Sequence, residues 1–129
     1  MTANRQNISS GGPWESRVGY SRAVRVGPHI YVSGCTAMTS AGIVGKADPY
    51  VQARQALATI QRALEQAGAT MAHVVRTRIY VVDIRAWPEV GRAHGEAFAA
   101  ILPAATMVQV AALIDLDMLV EIEADAYVP

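Results

Sequence analysis

Residues 102–127 read LPAATMVQVAALIDLDMLVEIEADAY, two runs of alternating apolar positions joined by a short acidic connector. Thr106, Val108, Val110 and Ala112 share one face of the first run; Met118, Val120, Ile122, Ala124 and Ala126 share one face of the second. Period-two alternation marks strands that bury one face, so both runs are expected to be strands with these faces turned to the core. The other face of the second strand carries Glu121, Glu123 and Asp125. Such a row most often faces solvent or another subunit. It is also the first place to look for an acid or base, if the chain does chemistry.

Upstream, Val74 to Asp83 (VVRTRIYVVD) is β-branched and aromatic enough for a third strand. Arg76, Arg78 and Tyr80 share one of its faces, so the arginines are expected to meet solvent, another subunit or an anionic ligand. Asp48 is a good N-cap and Pro49 suits the first helical position. Ala53, Leu57, Ile60, Leu64 and Ala67 then form one helical stripe, closed by Gly68 in a left-handed C-cap. A second helix runs from Trp87 to Ile101 through Pro88, with Trp87, Val90, His94, Phe98 and Ile101 as its apolar stripe. His94 sits mid-stripe, where a histidine reads as a packed core residue rather than a base.

Near the N-terminus, Val18–Arg25 and Ile30–Gly34 are expected to form a hairpin across the Gly27-Pro28 turn. Gly42–Gly45 is too short for more than an edge strand or a turn. Residues 1–13 end in Ser-Ser-Gly-Gly-Pro and read as a loose arm. Residues 1–17 are therefore taken as the arm and residues 18–129 as one domain. Trp14 would pin the arm to the body or cover a pocket. The order is β-β-α-β-α-β-β, an α+β arrangement in which two helices cover one face of a single mixed sheet. The other face is left bare, which points to oligomers.

At 129 residues with 52% apolar side chains, the chain can fill one core and leave apolar surface for other subunits. Lysine and arginine together number 11, as do aspartate and glutamate, so the formal net charge is zero. Nucleic-acid binders usually carry a basic excess, and its absence argues against that partner. Cys35 is the only cysteine, which excludes an intrachain disulfide or a cysteine-based zinc site. As a lone thiol with no base placed beside it, it reads as a small residue at a strand end. The isolated histidines, His29, His73 and His94, have no metal-ligand spacing. No phosphate-binding or hydrolase signature is present. The polar N-terminus and the absence of a membrane-length apolar run lead to an expectation of a cytoplasmic protein. Read from residues alone, the chain is an oligomeric α+β domain without a written reaction.

An ordered set of short segments adds to this: Gly19-Tyr20-Ser21, Ile30-Tyr31-Val32-Ser33-Gly34, Gln52-Ala53-Arg54-Gln55-Ala56-Leu57, Ala67-Gly68, Val74-Val75-Arg76-Thr77, Val81-Val82-Asp83, Pro103-Ala104 and Val120-Glu121-Ile122-Glu123-Ala124. In this order, from residue 18 onward, the chain resembles the Rid family, the reactive-intermediate deaminases also called YjgF-type or L-PSP-type proteins. The resemblance implies a chorismate-mutase-like fold, a homotrimer, and pockets in the clefts between subunits. It also implies hydrolysis of imines such as 2-iminopropanoate to a 2-oxo acid and ammonia, without metal or cofactor. Some relatives have been described as ribonucleases or inhibitors of translation.

Matched residue by residue, the family's water-orienting glutamate falls on Glu121 and its pocket tyrosine on Tyr20, with Ser33 and Gly34 on the backbone lining. Its substrate-binding arginine, directly after Pro-Ala, falls on Ala105. A small polar residue two places on falls on Met107, and a pocket asparagine on Gly91. Trp87 and Thr106 complete the expected lining. A guanidinium grips a carboxylate through two bonds, each charge-assisted bond contributing roughly 1.5–3 kcal/mol. Loss of the pair would weaken binding of a 2-imino acid by some two or more orders of magnitude. An arginine-lacking branch is therefore expected, hydrolysing an imine-like or other small metabolite but not 2-iminopropanoate. A non-catalytic metabolite-binding trimer is the alternative, and an endoribonuclease or translation inhibitor the weakest reading. Arg17, Arg22 and Arg25 flank the Tyr20 strand, and substitution by one of them for the missing group stays open.

Overall fold

The computed structural model describes residues 4–129. In chain order its elements are β1 (Arg5–Ile8), α1 (Pro13–Val18), β2 (Ala23–Val26), β3 (His29–Cys35), β4 (Met38–Thr39), β5 (Gly42–Ile43), α2 (Pro49–Gln66), β6 (Val74–Val81), α3 (Trp87–Phe98), β7 (Ala104–Gln109) and β8 (Val120–Tyr127). Six strands make one sheet in the order β1-β2-β3-β8-β6-β7, and β4 and β5 form a separate small hairpin. Every neighbouring pair in the large sheet is antiparallel except β6 with β7. Those two are joined through α3, the kind of crossover that parallel strands need. The fold is the mixed-sheet α+β arrangement expected from the sequence.

Asp48 caps α2 by accepting a hydrogen bond from the Val51 amide at 3.1 Å, and Gly68 follows the helix at φ 84°. Ala53, Ala56, Leu57, Ile60, Ala63 and Leu64 of α2 enter one core with Val90, Ala93 and Phe98 of α3. Ile30, Val32, Ile79, Val81, Val120, Ile122 and Ala124 meet them from the sheet, so both helices lie on one sheet face. The fully buried Gln52 ties this layer to the loop before β8. Its amide nitrogen donates to the carbonyls of Gly45 and Asp117, and its oxygen accepts from the Leu119 amide. No helix among the described residues is long and apolar enough to cross a membrane.

Several local expectations are corrected. Residues 5–17 are no arm: Arg5–Ile8 pairs with β2, and Pro13–Val18 is helical. Residues 1–3 lie outside the described residues. Ile8 is the only residue of β1 that is buried, so this edge strand carries no alternation to read. The strand placed at Val18–Arg25 begins at Ala23, because Gly19 ends α1 at φ 86° and starts a turn. Trp14 is half exposed on α1, with the Arg17 guanidinium 4.9 Å from its ring, and does not pin an arm to the body.

The facing of the first C-terminal strand is reversed. Thr106 and Val108 are exposed, Met107 packs on the core, and Val110 and Ala112 lie beyond the strand. Both phases of Ala104–Val108 are apolar or small, so pairing with β6 sets the phase. Met107 stands beside Ile79 and Ala105 beside Thr77, on the helix-covered face. Trp87 likewise leaves the apolar stripe of α3. It is the first residue of the helix, emerging from the 3-10 turn Ile84–Ala86, and is 61% exposed. His94 keeps its expected place, hydrogen-bonded to Thr77 at 2.8 Å and stacked near Phe98.

Candidate functional site

The sheet face without helices carries the carboxylate row of β8, and the neighbouring strands sort its members. The Arg78 guanidinium lies 3.4 Å from Glu123 and 3.2 Å from Asp125, and the Tyr80 hydroxyl donates to Glu123 at 2.6 Å. The partners expected for the arginines of β6 thus come, for Arg78, from the same chain. Among the described residues no donor reaches the carboxylate of Glu121. Half-buried and unpaired, it has its ionised form disfavoured: burial raises its pKa above the ordinary glutamate range, and Glu123 adds to this while Arg22 opposes it.

What brings Glu121 against β3 is an irregularity in that strand. Val32 pairs with Ala124 and Cys35 with Ile122, so β3 carries one residue more than β8 over this span. The resulting bulge holds Ser33 and Gly34. Glu121 reaches over Gly34 so closely that a Cβ there would overlap its Oε2 and stand 2.8 Å from its Cδ. Only glycine leaves room for the carboxylate.

The turn before β2 closes the other side. The Glu15 carbonyl accepts from the Gly19 and Tyr20 amides at 2.8 and 3.0 Å, which fixes the end of α1 and the position of Tyr20. The buried Glu15 carboxylate accepts from the Ser10 amide and hydroxyl. The Arg22 amide donates to the Ile8 carbonyl of β1 at 2.8 Å. The Arg22 side chain then turns back to the bulge. Its Nη1 donates to the Gly34 carbonyl at 2.7 Å, and its Nη2 approaches the Tyr20 hydroxyl at 3.4 Å. Arg17 lies at Trp14, and Arg25 is hydrogen-bonded to the carbonyls of Gly27 and Ala67. Of the three arginines around Tyr20, Arg22 is the one at Glu121.

The predicted residues therefore fall into two groups. Tyr20 and Ser33 line one open hollow of about 380 Å³, with Arg5 and Asn7 of β1 on its rim, and Gly34 and Glu121 adjoin them. Ala105 and Met107 belong elsewhere: they lie on edge strand β7, on the sheet face opposite Glu121, with β6 between β7 and β8. Thr106 shares the bare face with Glu121 but stands beside Arg78, on β7, three strands from β3. Trp87 and Gly91 are neighbours on α3. Within one chain the groups do not meet.

Sequence reasoning missed Arg5 and Asn7, whose strand was read as a loose arm, and left Arg22 unresolved among three arginines. Cys35 is buried at the end of β3 as expected, and burial pushes its thiol pKa up. Chemically, the Gly34–Glu121 pair offers an unpaired, proton-accepting carboxylate over the residue that follows Ser33 of that hollow. The neighbouring Cys35 thiol, its pKa raised by burial, is the reverse of an activated nucleophile.

A two-layer α+β chain with a lone carboxylate over a bulged glycine is the class that this architecture and geometry define. The comparisons give it a family. The family model described as Endoribonuclease L-PSP matches residues 13–128. The uncharacterized protein SCO2049 of Streptomyces coelicolor is 37% identical over 122 residues, covering 95% of this chain and 91% of that protein. The solved structure of Rv2704 from Mycobacterium tuberculosis, a member of the highly conserved YjgF/YER057c/UK114 family, superposes with a TM-score of 0.89. It shares 56% sequence identity and covers 96% of this chain and 99% of its own. A conserved Rid-family protein of unknown function, YyfA from Yersinia pestis, is 32% identical with a TM-score of 0.83, covering 96% and 99%. The chain belongs to this YjgF, or Rid, family.

Proposed function

We propose that this chain is a cytoplasmic homotrimer that hydrolyses a small imine lacking a carboxylate, with Glu121 as the base, in clefts between subunits. In an imine hydrolysis, water adds to the C=N carbon while Glu121 accepts its proton. Glu121 passes that proton to the nitrogen to give the carbinolamine, then relays the hydroxyl proton to the nitrogen as the C–N bond breaks, and a carbonyl compound and ammonia leave. A carboxylate held above its ordinary pKa is the better base for this step. The observation that carries the reading is Glu121 itself: the one acid of the β8 row without a partner among the described residues, half-buried over Gly34.

The oligomer follows from the separation of the two residue groups. Ala105, Met107, Trp87 and Gly91 can border Glu121 only if a second chain supplies them. The bare sheet face, with Tyr31, Val108 and Tyr127 each more than two-fifths exposed, gives the apolar surface for such assembly.

Substrate class follows from the arginines. Ala105 stands where the resemblance puts the family's carboxylate-binding arginine. Arg22 does not replace that fork: Nη1 is engaged with the Gly34 carbonyl, and Nε is sealed in the interior. A bidentate grip needs two open donors on one edge. The ribonuclease reading is weaker for the same reason, since Arg78 is already paired with two carboxylates and the net charge is zero.

The test uses two imines formed in situ: benzaldimine from benzylamine and 2-iminobutanoate from 2-aminobutanoate, each released by a flavin oxidase. Wild type is expected to accelerate loss of benzaldimine, Glu121→Gln to lose about a hundredfold or more of that acceleration, and Ala105→Arg to gain activity on 2-iminobutanoate. Wild-type turnover of 2-iminobutanoate equal to that of Ala105→Arg overturns the substrate class. Undiminished turnover by Glu121→Gln overturns the base.

A further inference from the structure

Arg22 grips the β3 bulge at both ends. Its carbonyl accepts from the Ser33 amide at 2.9 Å, and its Nη1 donates to the Gly34 carbonyl at 2.7 Å, while its own amide is anchored on Ile8 of β1. Nη2 extends the contact to the Tyr20 hydroxyl. The guanidinium is held at a cost: Nε is the one buried side-chain nitrogen or oxygen among the described residues that lacks a partner. An orphaned buried donor forfeits its hydration without return, and such a group calls for a reason other than stability.

We infer that Arg22 is a positioning residue for Glu121: its guanidinium fixes the Gly34 carbonyl and the Tyr20 hydroxyl around the carboxylate and sets a positive charge beside it. This rests on the reading of Glu121 as the base. A carboxylate that leans on a bulged glycine inherits any motion of that glycine, so a clamp on the Gly34 carbonyl is a clamp on Glu121. The charged and titratable groups that act on or adjoin Glu121 come from four places. Tyr20 and Arg22 belong to the turn before β2, Cys35 to β3, Tyr80 to β6 and Glu123 to β8 itself. Arg22 alone among them is a cation, and it opposes the upward push of burial and of Glu123.

The experiment is a pH titration of the Glu121 carboxyl carbon by NMR in glutamate-labelled protein. The signal is assigned by its loss in Glu121→Gln, and no ligand is present. Removing the cation in Arg22→Gln is expected to move the midpoint upward from that of wild type. Arg22→Lys retains the charge but not the two-point hold. Its midpoint is expected to stay with wild type while kcat on benzaldimine falls about tenfold to a hundredfold, as misplaced catalytic groups do. An unmoved midpoint in folded Arg22→Gln overturns the inference. Should that variant fail to fold, wild-type kcat in Arg22→Lys overturns it. The Glu121 reading stands or falls separately, on turnover by Glu121→Gln.

Discussion

Gly34 and Glu121 occupy adjoining space across the β3–β8 pair: the carboxylate fills the volume that a side chain at position 34 would need. Gly34 is not among the residues with positive φ, so its backbone accepts an L-residue. The only atoms a methyl would strike belong to the far end of one flexible side chain. Gly34→Ala is therefore expected to fold with a melting temperature within a few degrees of wild type while displacing Glu121 and removing turnover. Circular dichroism beside the benzaldimine assay checks both halves.

Glu121 also bears on stability. Its folded pKa lies above its unfolded value, so its contribution is fully present below the unfolded pKa and is lost as pH rises through the folded one. At neutral pH the ionised carboxylate is a liability. Glu121→Gln, neutral at every pH, is expected to melt higher than wild type at pH 7–8. The advantage should shrink as pH falls below the ordinary glutamate range, measured by thermal unfolding against pH.

His94 has the opposite linkage to pH among bases. Burial lowers its pKa below the ordinary value of about 6.5, so the unfolded chain binds the proton more readily. Its contribution is complete above the unfolded pKa and is lost as pH falls through the folded one. Wild type should lose stability on acidification below about pH 6.5. In His94→Gln that slope should flatten.

Gln52 is expected to matter for folding alone. Gln52→Leu fills the same space but strands the carbonyls of Gly45 and Asp117 and the amide of Leu119. An unsatisfied buried group costs about 1–3 kcal/mol, and some of the three will find water, so a loss of about 2–4 kcal/mol is expected in urea unfolding.

Assembly through the bare sheet face gives a last measurement. Val108 is 42% exposed in one chain, so Val108→Lys leaves the core intact. If this face joins subunits, the variant should run as a monomer by size exclusion with light scattering, and wild type as a trimer.

Where the sequence repeated one signal many times, the structure could be read from it. α2 has a cap, a proline, a full apolar stripe and a terminal glycine, and its bounds follow. β8 alternates without a break, which made its buried face and its carboxylate face legible and singled out Glu121. β7 failed because apolar or small residues fill both phases, Ala104, Thr106 and Val108 on one and Ala105 and Met107 on the other, so only its neighbour β6 sets which side faces the core. β1 failed because a polar edge strand with one buried residue looks like a tail. The Arg22 clamp was beyond reach for another reason. It depends on one extra residue in β3, whose only trace in the pattern is one small residue, Cys35, out of phase with Ile30 and Val32.

That extra residue has a further meaning for the chain. Beyond it, Cys35 points into the interior only because the strand has slipped by one step. Shortening the segment by a single amino acid would restore plain alternation and still set the thiol inward opposite Ile122, but without the residue that the bulge adds. A deletion between Val32 and Cys35 should thus spare the core while removing the seat on which Glu121 rests.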